Sequence, residues 1–411
     1  MQILHQILGE LGIRKTQRAF LSKLLSLWLV IPGRINYTNL SRYSDQSEQT
    51  FRNWFGKACP HLCINTGIVG VLQKAECMGS TLVLGADASF ISKAGKATDG
   101  IAKFWNGSIG KVEEGLELSA ATLIDLEYRQ AIVLNAVQTP ASFAEEQSRV
   151  THYAGHIQTT LKTLPEGIRQ QIKAIALDAF YAKRKFIDPV LKAQNELGCD
   201  IAIVGKLRKD ADLYYLYQGE RSGKRGRPKE LDGKVDFKDY SRWEEAERND
   251  TWVVLTCLVK SKSLKRRLRV VQILWLDSKG QVIRKELLFC TNLSFDALLI
   301  IQCYRARYEM EFCFRDAKQF AGLEDSQART TTALEYHWNT AFLSVNLTRA
   351  QQLLDSQDHP ADFVFSMEDA KRKTYNLFLA QRFMALLPPE VNRHKLWNAL
   401  QDTINIGVKA A

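Results

Sequence analysis

The chain has 411 residues, more than one ordinary domain needs, and its hydrophobic fraction of 45 % suits a globular protein with a sizeable core. An excess of 56 Lys and Arg residues over 45 Asp and Glu residues gives a formal net charge of +11, which favours a polyanionic partner. No stretch reaches the roughly eighteen uncharged apolar residues of a membrane span, so we predict a cytoplasmic protein that does not bind a membrane.

Residues 1–75 have helical patterns and are predicted to form an N-terminal DNA-binding region. Residues 39–43 and 48–55 make two short amphipathic patterns on either side of a polar break. This spacing is typical of a helix-turn-helix, in which the polar side of the second helix, including Arg52, contacts bases or phosphates. A plain helical hairpin has the same pattern, so both interpretations stay open.

Residues 76–207 alternate in the order three strands, helix, strand, helix, strand, which predicts a mixed sheet with helices packed on it. The apolar run TLVLGADASFI carries Asp87, and the strand IKAIALD ends at Asp178. A carboxylate in or just after a buried strand is costly unless it is paired, hydrogen-bonded or bound to a metal ion. Both aspartates are therefore candidate site residues.

Two other aspartates compete with Asp178. Asp188 precedes Pro189 within a predicted helix, where a surface or capping position is expected. Asp200 precedes its strand instead of ending one, and this places it at the opposite edge of a parallel sheet. Asp178 is the preferred candidate.

Residues 208–290 break the alternation of strands and helices. They begin with a loop rich in Gly, Lys and Arg and continue with three β-type runs, which predicts a β-rich insertion. Arg225 and Arg227 belong to an Arg-Gly-Arg-Pro sequence that has the composition of a minor-groove hook for DNA. A flexible basic loop that makes unspecific phosphate contacts has the same composition.

A helical pattern that begins near Asp296 carries the run YRARYEMEFCFRDAK. At about 100° per residue, four of its polar residues fall within one sector of about 60°. These four are Tyr304, Arg307, Glu311 and Lys318. Glu309 and Asp316 fall on the far side of the helix. A mixed-charge face is also common on helices that only face solvent, so the pattern needs support from the strand aspartates.

Two strand aspartates and one helix glutamate form the kind of ligand set that a two-metal phosphoryl-transfer site requires. Hard divalent cations prefer oxygen ligands, and Mg²⁺ is commonly held by a few carboxylates together with substrate phosphate. Two such ions about 3.5–4 Å apart can activate the attacking oxygen and stabilise the leaving one. Arg and Lys side chains beside the carboxylates can hold DNA phosphates.

The sequence resembles the DDE transposases of bacterial insertion sequences, in the subgroup marked by Y-x2-R-x3-E-x6-K. All four signature residues, Tyr304, Arg307, Glu311 and Lys318, are present at the signature spacing. The segment ADASFISKAGKATDG resembles the region of the first aspartate of the family, and ALDAFYAKRKFI resembles that of the second. Family features extend over roughly residues 30–350.

The resemblance implies an α/β fold whose RNase H-like catalytic core is interrupted by an insertion. The core would consist of residues 76–207 and of a final helix with the catalytic glutamate in residues 291–325. Residues 208–290 would be the β-rich insertion, and residues 326–411 a helical C-terminal region. Residues 1–75 would remain the DNA-binding region.

The resemblance also implies the roles of the site residues. It assigns catalysis and Mg²⁺ binding, with Mn²⁺ as a substitute, to Asp87, Asp178 and Glu311. It assigns contacts with transposon-end DNA to Tyr304, Arg307 and Lys318.

The implied activity is cut-and-paste transposition by a protein that binds the terminal inverted repeats of its insertion sequence. Water attacks the phosphodiester at the end of the element, and the freed 3′-hydroxyl then attacks target DNA. The implied partners are double-stranded DNA and a second copy of the chain in the synaptic complex, within a bacterial cytoplasm and at the nucleoid when DNA is bound.

Some relatives excise their element through a DNA hairpin and use a tryptophan of the insertion to hold a flipped base. The stretch VIRKELLFCTNLSFD just before the signature helix contains no tryptophan, and Trp252 and Trp275 lie further upstream. The excision route therefore stays open.

Two alternatives compete with an active transposase. The first is a catalytically inactive DNA-binding derivative, and the presence of all three carboxylates and all four signature residues argues against it. The second is an RNase H-like nuclease without strand transfer, which needs neither the N-terminal helical region nor the insertion.

Overall fold

The computed structural model describes residues 2–219, 229–356, 358–388 and 392–408. The chain begins with five helices, which are α1 (Gln2–Glu10), α2 (Lys15–Val30), α3 (Tyr37–Arg42), α4 (Glu48–Phe55) and α5 (His61–Lys74). The apolar side chains of α2 are buried in the core. Among the described residues, no helix is long and apolar enough to cross a membrane.

Helices α3 and α4 coincide with the two short patterns from which the helix-turn-helix was predicted. Side chains cap both helices: Asn36 accepts the backbone N–H of Asn39, and Ser47 accepts that of Thr50. The apolar side of α4 is buried, whereas Arg52 on its other side is exposed. The geometry thus leaves a polar helix face free at the surface.

The first half of the central sheet alternates with helices. It contains β1 (Leu82–Ile91), β2 (Ala102–Asn106), β3 (Lys111–Asp125), β4 (Ala131–Gln138), β5 (Ile172–Leu177) and β6 (Ala202–Lys206). Two helices, α6 (Glu146–Thr163) and α7 (Glu166–Gln171), precede β5, and α8 (Arg184–Glu196) precedes β6.

The prediction of three strands before the first long helix was wrong, because four are present. The additional strand, β2, pairs with the N-terminal part of β3 and forms a hairpin arm. Phe104 is buried on one side of the arm, whereas Trp105 is 54 % exposed on the other. Five residues with a single buried apolar position are too short to give a clear strand period.

The order of the central strands is β4–β3–β1–β5–β6. Strand β3 is antiparallel to β1 and β4, whereas β1, β5 and β6 are parallel to one another. Helices α6 and α8 pack against each other, and α6 also packs on β3. This arrangement brings the carboxyl ends of β1 and β5 side by side at one edge of the sheet.

Residues 208–290 extend the same sheet. Their strands are β7 (Leu213–Leu216), β8 (Leu231–Lys234), β9 (Glu244–Arg248), β10 (Trp252–Ser261), β11 (Arg266–Leu276) and β12 (Val282–Cys290). Strand β12 pairs with β6, and β11, β10, β7 and β8 follow in that order. Arg225 and Arg227, for which a DNA hook was predicted, lie outside the described residues.

The last part of the chain is helical, with α9 (Ala297–Ala306), α10 (Tyr308–Gln319), α11 (Thr331–Asp355), α12 (Met367–Leu386) and α13 (Arg393–Ile404). The side chains of α11 cover the outer edge of β4. Asn339 accepts the N–H of Ala136 and donates to its carbonyl, and Asn346 makes the same pair of bonds to Val133. The helix thus satisfies backbone groups that an edge strand leaves unpaired.

Candidate active site

Asp87 lies inside β1, where a glycine two residues earlier lets a helix approach closely. Residues two apart share one face of a strand, so Gly85 and Asp87 face the same side. A Cβ atom on Gly85 would lie 2.4 Å from the sulfur of Met310 on α10. The missing side chain therefore allows α10 to pack directly over β1 beside Asp87.

Asp178 follows the last residue of β5. In the parallel pairing of β1 with β5, Ala86 is the partner of Leu177, so the next residues along the two strands are Asp87 and Asp178. Neighbouring strands lie about 4.8 Å apart. The sheet therefore brings the two aspartates predicted from the sequence next to each other.

The single helix predicted from Asp296 onward is broken, and this expectation was wrong. Asp296 caps α9 by accepting the N–H groups of Leu298 and Leu299, as a helix start requires. The N–H of Arg307 bonds to the carbonyl of Tyr304, three residues back, and this tighter turn separates α9 from α10. The signature residues thus come from two helices and the junction between them.

Arg307, at that junction, links the helices to the sheet. Its Nη1 lies 2.9 Å from Oδ2 of Asp87, and its Nη2 lies 3.6 Å from Oε1 of Glu311. The side chain of Arg307 is 10 % exposed and that of Glu311 is 55 % exposed. One guanidinium therefore holds a strand carboxylate and a helix carboxylate at the mouth of the site.

The electrostatics of the site reflect crowding of negative groups. Burial raises the pKa of Asp87 to about 6, the guanidinium of Arg307 and the N–H of Ala88 oppose this shift, and the charges of Asp178 and Glu311 add to it. The three carboxylates are close enough to influence one another. A group of like charges in a partly buried site favours a cation between them.

A divalent metal ion suits these donors chemically, although no group of three or more metal-binding side chains already converges within the described residues. The available donors are carboxylate oxygens, which hard cations prefer. The guanidinium of Arg307 supplies the positive charge between Asp87 and Glu311 in this structure. A metal ion bound there would compete with that ion pair.

The other two signature residues have different surroundings. Tyr304 is 5 % exposed, and burial raises its pKa to about 12. Its hydroxyl-bearing ring lines a small cavity instead of the open surface. Lys318 donates to the carbonyl of Phe90 at 3.2 Å and pairs with Glu324 at 3.1 Å, so it lies at the end of β1.

Glu309 and Asp316 face away from Asp87. Burial raises the pKa of Glu309, and Arg349 and Arg129 are the cations that oppose this shift. Asp316 is buried and pairs with Arg315 at 2.8 Å and with Arg349 at 3.6 Å. Asp316 therefore pairs with a cation of α11, and the charge of the same arginine acts on Glu309.

The rival aspartates lie away from the two strand ends. Asp188 forms ion pairs with Arg184 within α8 and with Arg266 on β11. Asp200 is exposed and precedes β6. Asp188 is thus engaged in a structural contact between α8 and the sheet.

The loop after α10 is held by the N-terminal helices, by the C-terminal helices and by the segment that follows β1. Its backbone carbonyls, from Phe320 to Ser326, accept hydrogen bonds from four side chains of distant elements. These donors are Trp28, Lys93, His337 and Lys371. In addition, Asp325 accepts the N–H of Ile35 at 2.8 Å. The N-terminal and C-terminal helices therefore hold α10 in place over β1.

Two tryptophans of the β-rich segment lie beside α9. Their ring centroids are 5.3 Å apart, and the guanidinium of Arg305 lies 4.6 Å from the Trp252 ring and 5.3 Å from the Trp275 ring. Trp275 also lines the cavity that contains Tyr304. Both tryptophans were candidates from the sequence, whereas Arg305, which precedes Arg307 by two positions, was not predicted.

Arg52 lies on the exposed side of α4. Its guanidinium lies over the ring of Tyr37, 4.5 Å from the centroid, and 3.4 Å from Glu48. Both Arg52 and Glu48 are about half exposed, so this pair is weak and open to competition by a phosphate.

A family model described as DDE superfamily endonuclease matches residues 4–264. The match spans more than half of the chain, and the protein therefore belongs to this family. It includes Asp87 and Asp178 but ends before Arg307 and Glu311. No curated protein matches the chain. The family and the paired strand aspartates together indicate a transposase-like nuclease that acts on DNA.

Proposed function

We propose that the protein is a DNA transposase that cuts its insertion sequence at the terminal inverted repeats and joins it to target DNA. The observation that carries the proposal is the position of Arg307. This side chain connects Asp87 to Glu311, while the strand register places Asp178 beside Asp87. Carboxylates from two strands and a later helix thus lie near one edge of the sheet, with Arg307 between Asp87 and Glu311.

The strand order supports an RNase H-like catalytic core, as the resemblance implies. Three parallel strands flanked by an antiparallel pair fit that fold, and α9 and α10 supply its final helical segment. In this proposal residues 76–207 and 291–325 form the core, residues 208–290 the insertion, and residues 326–411 a helical region that supports α10.

In the proposed site, Asp87, Asp178 and Glu311 hold Mg²⁺ or Mn²⁺. When bound, the metal ions supply activation of the attacking oxygen and stabilisation of the leaving one. Arg307 would then be available to hold a DNA phosphate, because its guanidinium presents a fork of N–H donors that fits phosphate oxygens. Lys318, at the end of β1, contacts the phosphate backbone next to it.

Tyr304, which is buried and lines the small cavity, contacts the transposon-end DNA in this proposal. The exposed face of α4, with Arg52, binds the inverted repeats, and two copies of the chain hold the two ends together.

Arg225 and Arg227 remain candidates for contacts with the DNA backbone or minor groove. The Trp252–Trp275 pair is the candidate for holding an unstacked base.

The test is cleavage of a duplex that carries the ends of the element flanking the gene, with purified full-length protein and Mg²⁺. Asp87→Ala, Asp178→Ala and Glu311→Ala each abolish cleavage and leave DNA binding intact. Glu309→Ala and Asp200→Ala are the matched carboxylate controls and cleave normally. Normal cleavage by Glu311→Ala together with loss in Glu309→Ala would overturn the assignment.

Strand transfer needs a separate readout, because a nuclease alone would also cut. Pre-cut ends with a free 3′-hydroxyl should join to a supercoiled plasmid in the presence of Mg²⁺. Cleavage without joining would favour the nuclease alternative. Binding of the ends without cleavage under either Mg²⁺ or Mn²⁺ would favour the inactive derivative.

A further inference from the structure

A second surface of the protein has the properties of a nucleic-acid site. It is a groove of about 1000 Å³ between α3 and α4, the segment that follows β1, and the segment that precedes α11. Its cationic residues come from all three elements and are Arg52, Lys93, Lys96 and Arg329. We refer to it as the basic groove.

The charge of the basic groove is unbalanced. Four of the described residues that line it are Lys or Arg, and none of them is Asp or Glu. Arg52 has a weak exposed partner in Glu48, whereas Lys93, Lys96 and Arg329 form no ion pair within the described residues. Such a concentration of one sign in a concave surface raises the local potential and attracts a polyanion.

Two of the cations are near enough for their charges to repel each other. Burial lowers the pKa of Lys93, and the charge of Arg329 lowers it further. The ammonium of Lys93 donates to the carbonyl of Ser326, so the chain holds it in place despite this repulsion. An anion in the groove would relieve the repulsion between the two side chains.

The remaining lining favours duplex DNA over a single strand. Thr38, Thr98 and Gln327 offer hydroxyl and amide groups of the kind that contact phosphates and sugars. Proteins that bind single strands use exposed aromatic rings as stacking platforms. Tyr37, the aromatic residue of the described lining, is 4 % exposed and is covered by Arg52.

The basic groove lies close along the chain to the carboxylate site formed by Asp87, Asp178 and Glu311. Lys93 follows Asp87 by six positions, so the chain spans at most about 20 Å between them. One DNA strand advances 3.4 Å per nucleotide. The groove therefore lies at most about six nucleotides from a phosphodiester held at Asp87. Lys318, which donates to the carbonyl of Phe90, lies between the two.

We propose that the basic groove is a second DNA-binding site, which holds the backbone of the duplex within about half a helical turn of the scissile phosphodiester through Lys93, Lys96 and Arg329. This inference rests on the proposed nuclease function for its geometry. The binding itself is independent of catalysis and is measured without it. The groove fixes the direction in which the duplex leaves the acidic site.

The experiment compares full-length wild type with Lys96→Ala/Arg329→Ala, which removes two exposed cations. The backbone carbonyl of Arg329 accepts the N–H of Asp99, a contact that alanine preserves. Binding of a fluorescein-labelled random-sequence duplex is measured by anisotropy in EDTA over a series of salt concentrations. The slope of log K against log salt should fall in magnitude by about 1.8, because two phosphate contacts are lost.

The matched control is Lys162→Ala/Lys192→Ala, which removes two exposed cations from α6 and α8. Its net charge equals that of the groove variant, and its salt slope should stay nearer that of wild type. Melting temperatures report whether both variants are folded. The charge-conserving variant Lys96→Arg/Arg329→Lys should restore the wild-type slope.

Equal slopes for the groove variant and the control overturn the proposal, and so does tighter binding of a single-stranded oligonucleotide or of polyglutamate than of the duplex. Cleavage distinguishes this failure from that of the proposed function. If wild type never cuts DNA but the salt slope of the groove variant is reduced, the groove proposal holds and the transposase proposal is wrong. If wild type cuts DNA and the slopes are equal, only the groove proposal falls.

Discussion

Arg307 Nη1 lies 2.9 Å from Oδ2 of Asp87, so the junction between α9 and α10 is tied to the middle of β1 by one ion pair. The contact spans 220 positions of the chain. It therefore joins the part of the protein matched by the family model to the part beyond it. The net stabilisation from a buried ion pair is smaller than the destabilisation caused by removing one of its partners, because the remaining charge is left buried and unpaired.

The first prediction concerns this pair. Arg307→Gln leaves Asp87 in a partly buried site without its cation and should lower the free energy of unfolding by about 2 kcal/mol at neutral pH. Urea unfolding measures the change, and Arg208→Gln, at an exposed position, is the control. Asp87→Asn in the Arg307→Gln background should recover part of the loss. Additive effects of the two substitutions would show that the pair is not coupled.

The second prediction concerns divalent cations. If Arg307 and Mg²⁺ compete for the same carboxylates, Mg²⁺ should raise the melting temperature of Arg307→Gln more than that of wild type. EDTA should abolish the difference, and Asp178→Ala should remove the response in both backgrounds. An equal response of wild type and Arg307→Gln would contradict a shared site.

The third prediction concerns the approach of α10 to β1. Gly85→Ala places a Cβ atom 2.4 Å from the sulfur of Met310, so the helix or the Met310 side chain must shift. In an enzyme site a displacement of about 1 Å costs up to about a hundredfold in rate, so under the proposed function we expect at least a tenfold loss of DNA cleavage. Gly70→Ala, where nothing lies within 4 Å, should cleave normally.

A rescue experiment separates the packing of α10 from other effects of this substitution. Met310→Ala in the Gly85→Ala background should restore part of the cleavage rate, because the smaller side chain makes room for the new methyl group. Failure of the double variant to recover, with both variants folded, would indicate that the glycine acts by another route.

The paired aspartates and the signature residues could be found from the sequence because each stands in a local pattern. Asp87 and Asp178 interrupt or end apolar strands, and Arg307 and Glu311 share a helical period. The resemblance to a known family depended on the same short segments. Local periodicity and motif spacing therefore located the candidate site.

The contacts between these segments could not be found in that way. The break at Arg307 keeps right-handed helical dihedrals, with φ −54° and ψ −29°, so no proline or glycine marks it. The need for a glycine at position 85 depends on Met310, which lies more than two hundred residues away. Arm strand β2 is too short to show a period. Tertiary packing decides each of these features.

The fourth prediction concerns the cover that α11 provides for the edge of β4. Asn339→Leu leaves the N–H and the carbonyl of Ala136 buried and unpaired. Each unpaired group costs about 1–3 kcal/mol of stability. We expect a loss of about 2–4 kcal/mol in the free energy of unfolding, measured in urea. Thr332→Leu, at an exposed position of the same helix, should change it little. A stability of Asn339→Leu equal to that of the control would show that water or a backbone shift satisfies the edge.

The fifth prediction concerns acid stability and rests on His337, which bonds to the carbonyl of Gly322 at 2.8 Å. Burial lowers the pKa of His337 from 6.5 to about 4. Between these two values the unfolded chain binds a proton at His337 and the folded protein does not. The stability that neutral His337 contributes is therefore complete above pH 6.5 and is lost as the pH falls towards 4. Over this window wild type should lose about 1.4 kcal/mol per pH unit through this residue.

His337→Gln isolates that contribution, because a glutamine amide can still donate to Gly322 but does not titrate. The difference in unfolding free energy between the two proteins should stay constant from pH 7 to 8. His337 is neutral there in both the folded and the unfolded chain, because its pKa is lowered on folding. Below pH 6.5 it should shift in favour of the variant by about 1.4 kcal/mol per unit. His61 and His156, which burial also keeps neutral, titrate alike in both proteins and cancel in the difference. Parallel stability curves down to pH 5 would refute the role of His337, since its protonation would then cost the folded state nothing.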